Sequence, residues 1–154
     1  MVRRMAHDSG MNLSRHLHSG TDGQRMLRAA LLGNAAFSAL SAACLLLLPD
    51  DIIALAGFPL LDVRAILGYI LLLDAVWLVS IVLKRDIKLG QARIVVAMDV
   101  AWTVLSIPIA MFSPLTYGGR WLVAAVAAAV SSFAFLQWRG IQIVRGNSIA
   151  PKHA

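Results

Sequence analysis

Four long apolar stretches, broken by short polar ones, set the rhythm of this 154-residue chain. They occupy residues 29–48, 65–83, 94–112 and 121–138. A membrane-crossing helix needs roughly 17–25 largely apolar residues, and each stretch is of that length. Barrel strands, the other way to cross hydrocarbon, alternate apolar and polar residues with period two, and these runs do not. The pattern predicts an all-α integral membrane four-helix bundle over 27–139. A polar, basic tail precedes it (1–26), read as disorder lying against an anionic leaflet, and a second tail follows it (140–154). Met5, Met11 and Met26 inside the first tail are alternative starts.

Composition strengthens this picture. Hydrophobic residues make up 59% of the chain and charged residues 14%, against about 45–50% and about 25% in soluble domains. A net charge of +6 raises nucleic acid as a partner, but the placement of the charges argues for a membrane. Arg3, Arg4, Arg15, Arg25 and Arg28 precede the first stretch. Lys84, Arg85, Lys88 and Arg93 lie between the second and third, and Arg139, Arg145 and Lys152 follow the fourth. Only Arg64 and Arg120 fall in the other two loops, the first of which also carries Asp50, Asp51 and Asp62. By the positive-inside rule both termini are expected in the cytoplasm, in a multi-pass protein of the bacterial cell (inner) membrane. The first stretch does not end like a signal peptide. "LSAAC" is similar to a lipoprotein cleavage box, but its Leu is one position too early and the apolar run continues through "CLLLLP".

Inside the apolar stretches a polar motif is written twice. "NAAFSALS" begins at Asn34 and "DVAWTVLS" at Asp99, and they match or exchange like for like at six positions. Residues at i, i+4 and i+7 share one helix face. Asn34, Ser38 and Ser41 thus form one stripe, and Asp99, Thr103 and Ser106 its counterpart. Two duplicated helical hairpins, related by an axis along the membrane normal, would produce this; so would convergent packing of two buried helices. The second stretch adds Asp74 and Trp77, an Asp-x-x-Trp spacing repeated at Asp99 and Trp102. The fourth adds Ser131, Ser132 and Gln137. A charged side chain at mid-bilayer costs roughly 2.5–3.5 kcal/mol on insertion scales, and none of these groups faces lipid cheaply. They should point inward and bond one another. Asn34, Ser38, Asp74, Trp77, Asp99, Trp102 and Thr103 are therefore the candidate intramembrane polar site. Its carboxyls are either structural hydrogen-bond partners or carriers of a proton or cation.

Other features bound the chemistry. Pro108 removes a backbone hydrogen bond to Val104 and should kink its helix. "PDDIIALAGFP", 49–59, reads as a short amphipathic segment at the outer interface, with Asp50 and Asp51 suited to a helix N-terminus. "SPLTYGGRW", 113–121, reads as a tight outer turn with Tyr117 and Trp121 at interface level. Small residues in "VAAVAAAVSS" permit close helix approach. His7, His16 and His18 lack a fourth donor spaced to close a metal site. No His lies in any span, which excludes haem held by paired histidines. One cysteine, Cys44, excludes an intramolecular disulfide and any CxxC pair. No P-loop, GxSxG or HExxH occurs. Neither an enzyme, a cofactor nor a metal is expected.

"LRAALLGNAAFSALSAACLLLLP", "LAGFP", "VRAILGYILLLDAVW", "VVAMDVAWTVLS" and "GRWLVAAVAAAVSSFAFLQ", taken in this order, resemble a group of small bacterial four-span proteins loosely similar to DoxX-like proteins. The resemblance covers roughly residues 27–138. It implies the architecture and supplies no catalytic residue. The functional expectation is an accessory or scaffolding subunit of a membrane assembly. Its partners would be the lipid bilayer, other membrane proteins or further copies of the chain. A small proton-coupled transporter using Asp74 and Asp99 is the alternative. A third reading is a lipid- or quinone-binding protein, its ligand held between Trp77, Trp102 and the two acids.

Overall fold

The computed structural model describes residues 2–57, 61–84 and 87–149, with side chains described for 22–57, 63–84 and 87–146. Five helices follow one another among the described residues: α1 (Val2–Leu47), α2 (Asp50–Leu55), α3 (Leu61–Val82), α4 (Leu89–Phe112) and α5 (Tyr117–Ile149). Four are long and apolar enough to cross a membrane, over Asp22–Leu47, Val63–Val82, Leu89–Phe112 and Tyr117–Gly146. The protein is an all-α, multi-pass four-helix bundle. α1 takes in the polar tail as well as the first span. The disorder expected for 1–26 falls mostly on residues whose side chains lie outside the described set.

The spans reach further toward the basic end than hydropathy predicts. α4 begins five residues earlier, at Leu89, and α5 continues past Trp138 to Ile149. The reason is packing. Leu27, Ala92 and Ile141 all lie outside the predicted stretches, yet each is at most 1% exposed. They join Leu31, Ala35, Leu78, Ile81, Val82 and Val95 in one apolar core drawn from all four long helices. A hydropathy pattern ends where charges begin, whereas a bundle continues as long as an apolar face finds a partner. Arg28 adds a cap at this end: its guanidinium donates to the carbonyls of Val82 (3.0 Å) and Lys84 (2.8 Å), which the end of α3 leaves unpaired.

Small residues bring α1 and α5 together. A Cβ on Gly33 would stand 2.9 Å from the Phe133 ring, and one on Gly140 would stand 3.1–3.2 Å from Leu27, backbone included. Phe133 also meets Phe37, ring centroids 6.0 Å apart. This is the close approach that membrane helices achieve through small side chains. α4 buries only Ala92, Val95, Asp99 and Ser106, spaced by three, four and seven. It therefore shows the bundle one narrow stripe, half of it polar. Pro108 lies within α4, which remains one helix to Phe112.

At the opposite end α2 folds over the α4–α5 turn. The Thr116 hydroxyl donates to the Leu55 carbonyl (2.8 Å) and accepts from the Gly119 amide (3.1 Å). Gly57, at φ +75°, lies so close to Thr116 that a side chain would collide with its backbone. Arg64 reaches back to Asp50 (2.7 Å) and to the Leu48 carbonyl (3.4 Å). α2 is the short helix expected within 49–59, at the end of the bundle away from the basic residues, and Tyr117 and Trp121 stack edge to face beside it, 6.2 Å apart.

The helices do not close into a ring. α1 packs on α3 and α5, and α5 on α4, but α3 and α4 make at most a marginal approach. Between α3 and α4 lies the most loosely packed, open-sided edge of the bundle, bridged by the shared apolar core near its basic end.

Candidate functional site

The polar groups of the four spans lie in one layer. Asp74 is eight residues from the basic end of its span, Gln137 nine, Asp99 ten and Asn34 twelve. At about 1.5 Å per residue, these offsets are roughly 12–18 Å, near the middle of a core about 30 Å thick. Nothing in apolar surroundings satisfies such groups except one another.

Asp99 is the centre. Asn34 Nδ2 donates to both of its carboxyl oxygens, at 3.1 and 2.9 Å. Gln137 Nε2 donates to Oδ2 at 3.2 Å. Three helices, α1, α4 and α5, are thereby tied at one carboxyl. Asn34, Gln137 and Asp99 are all buried, with 2%, 0% and 9% of their surface exposed. A second pair lies beside this one: Ser38 Oγ donates to Asp74 Oδ2 at 3.0 Å, joining α1 to α3. Asp74 is half-buried. The two acids share no hydrogen bond but lie within coulombic reach of each other.

The doubled stripe is reflected in these contacts. Its first members, Asn34 and Asp99, bond each other across the bundle. Its second members each bond the returning helix of their own hairpin, Ser38 to Asp74 and Thr103 from Ser131 (3.2 Å). Thr103 also donates to the Asp99 carbonyl (2.9 Å) and Ser106 to that of Trp102 (2.8 Å), while the single Ser131 proton is shared between Thr103 and the nearer Ala127 carbonyl (2.7 Å). Such back-bonding satisfies a hydroxyl within its own helix.

Of the seven predicted site residues, Asn34, Ser38, Asp74, Asp99 and Thr103 take part in this layer. The two tryptophans do so less directly. Trp77 packs against the apolar core, and its carbonyl accepts from Ser80 (2.6 Å); Trp102 is half-buried and contributes its carbonyl. Gln137 was not among the seven, though it is the most deeply buried polar residue of the layer. Hydropathy carries no signal for it: the predicted stretch ends at Trp138, one residue later, and only the extension of α5 puts Gln137 nine residues inside the span.

Among the described residues, the hydrogen bonds of the cluster involve no Lys or Arg side chain. Arg28 caps α3, Arg64 pairs with Asp50, and Arg139 stands over the Phe135 ring at 5.7 Å. Interhelical hydrogen bonds in membranes average about 0.6 kcal/mol and reach about 1.7. Three of them offset a charge burial of about 2.5–3.5 kcal/mol only if each is well above average. Gln137 Oε1 meanwhile has no partner at all, one of two such buried side-chain atoms among the described residues, with Gln91 Oε1. Among the described residues no three His, Cys, Asp or Glu side chains converge as metal ligands, and His7, His16 and His18 lie outside the described side chains. Comparison with family models, with characterised proteins and with solved structures finds no match to this chain.

Proposed function

We propose that this chain is a non-enzymatic accessory or scaffolding subunit of a larger assembly in the bacterial cell membrane, with both termini in the cytoplasm. The observation that supports it is the open edge. Three of the four possible neighbour contacts in the bundle are made, and the fourth, between α3 and α4, is left nearly unmade. The exposed faces of these two helices are long and apolar, with Val76 and Val104 each more than half exposed. A half-buried carboxyl, Asp74, sits in the same layer. Apolar faces are content against lipid; a polar group beside an unfilled edge gains from a further helix that brings a donor. Twelve basic residues against two support the orientation. The test is purification of the full chain from native membranes in mild detergent, with a photoreactive residue at Val76 or Val104. A membrane protein crosslinked at those positions in stoichiometric amount is the expected result. Crosslinks to lipid alone overturn the reading.

A second reading, a small proton-coupled transporter, rests on a different observation: Asp99 is buried in the bilayer layer without a cationic partner. Uptake into reconstituted vesicles that depends on a pH gradient, and is lost in Asp99→Asn, is its expected signature. Uptake indifferent to the gradient sinks it.

A further inference from the structure

We infer that Asp99 is a reversible proton site within the bilayer, and that the Gln137 amide turns to receive the proton. Among the described residues, three neighbouring helices bring polar groups to the Asp99 carboxyl. α1 contributes Asn34, which is neutral. α5 contributes Gln137, also neutral, with Ser131 held on Thr103 and Ala127. α3 contributes Asp74, itself an acid. A carboxylate so placed has neutral donors and one further acid around it, so what neutralises it must come from outside the cluster.

The donor set selects the proton over a metal ion. Hard cations take oxygen ligands from several directions, and here two side-chain amide nitrogens, of Asn34 and Gln137, point at the carboxyl oxygens where such an ion would have to sit. A proton on Oδ2 needs only one acceptor. Gln137 supplies it: its Oε1 is fully buried, unpartnered, and belongs to the amide whose nitrogen already touches Oδ2. The last torsion of a glutamine is roughly two-fold, and a half-turn exchanges an oxygen for a nitrogen of nearly the same size.

Protonation then runs as a simple exchange. An O–H bond forms at Oδ2 as a hydronium ion gives up its proton and becomes water, the Nε2–H donation to Oδ2 is lost, and Oδ2–H donates to Oε1. Asn34 continues to donate to Oδ1. The Gln137 nitrogen occupies the unpartnered place that its oxygen held before. Each state leaves one heavy atom of this amide unpaired, and the proton activity shifts the balance between them. Asp74, less buried than Asp99 and on the helix that borders the open edge, is the second carboxyl through which the site senses charge.

The site does not depend on the accessory reading, and it provides the chemistry that the transport reading needs. The experiment is nuclear magnetic resonance of the full chain in lipid nanodiscs, with carboxyl-labelled aspartate and side-chain-labelled glutamine, titrated from about pH 5 to about pH 9, the range that buried carboxyls can reach. The Asp99 carboxyl and the Gln137 amide are expected to shift together through one midpoint. Asp74→Asn should move that midpoint, and Asp99→Asn should abolish the Gln137 shift. An Asp99 signal constant over the whole range overturns the inference. So does an Asp99 titration that leaves the Gln137 amide unmoved. Both readouts come from the unmodified protein, so a variant that fails to fold does not blunt the test. Co-titration without gradient-driven uptake would remove the transport reading and leave the proton site standing.

Discussion

Asn34, Asp99 and Gln137 each have little value alone in hydrocarbon, and removing one strands the others. Asn34→Ala takes away both donations from α1, and Asp99 then keeps only Gln137. The expected loss is about 1–2 kcal/mol of stability, between the average membrane hydrogen bond and the cost of an unsatisfied buried group. Ser132→Ala is the control. That hydroxyl is exposed and bonds only the Ala128 carbonyl of its own helix, so its loss should stay within about 0.5 kcal/mol. Unfolding of both variants in mixed detergent micelles measures the difference. At this scale the sequence reveals a polar residue by contrast with its surroundings. Asn34, Ser38, Asp74 and Asp99 stand out against alanines, leucines and valines. Gln137 stands beside Trp138 and Arg139, where a polar residue is ordinary, and only the packing of α5 on α4 and α1 makes it part of the cluster.

Glycines divide the elements into faces that touch and faces that do not. Gly140 lies on the side of α5 that meets α1, where a Cβ would press on Leu27; Gly146, two turns on, has nothing within 4 Å. Gly140→Ala should therefore destabilise the bundle, because backbone has to move. Gly146→Ala should leave it unchanged or more stable by about 0.5–1 kcal/mol, the usual gain of Ala over Gly in a helix. Opposite signs in thermal unfolding of the two variants are the expected outcome. Gly57→Ala belongs with Gly140, since its left-handed backbone costs an alanine about 1–2 kcal/mol even before the collision with Thr116. The existence and number of the long helices were legible from hydropathy, which depends only on composition over a window. Their ends were not. α4 and α5 extend because Ala92 and Ile141 find apolar partners on other helices, and a single stretch of sequence carries no record of its partners. The short helix α2 was legible from Asp50, Asp51 and the apolar residues after them. Its attachment through Thr116 joins segments about sixty residues apart.

The whole molecule has two ends of unlike charge, and its placement in a membrane follows from that asymmetry more than from any contact. Lys84 lies at the end that gathers the basic residues, and Tyr117 at the end where α2 covers the α4–α5 turn. Moving many lysines and arginines across a bilayer is opposed, so the end with twelve of them should stay in the cytoplasm. The packing adds a constraint of its own. Arg28 is bonded to the last carbonyls of α3, so the start of the first span and the end of the second are held at the same level. In a Cys44→Ala background, a cysteine in place of Tyr117 should react with a membrane-impermeant maleimide in intact cells. A cysteine in place of Lys84 should react only after the membrane is opened. Both side chains are exposed, so burial cannot imitate protection by the bilayer. Labelling in the reverse order would invert the protein without changing its fold. It would put the Asp99 layer about 12–18 Å from the other aqueous phase, and any proton reaching the site by the shorter route would come from there.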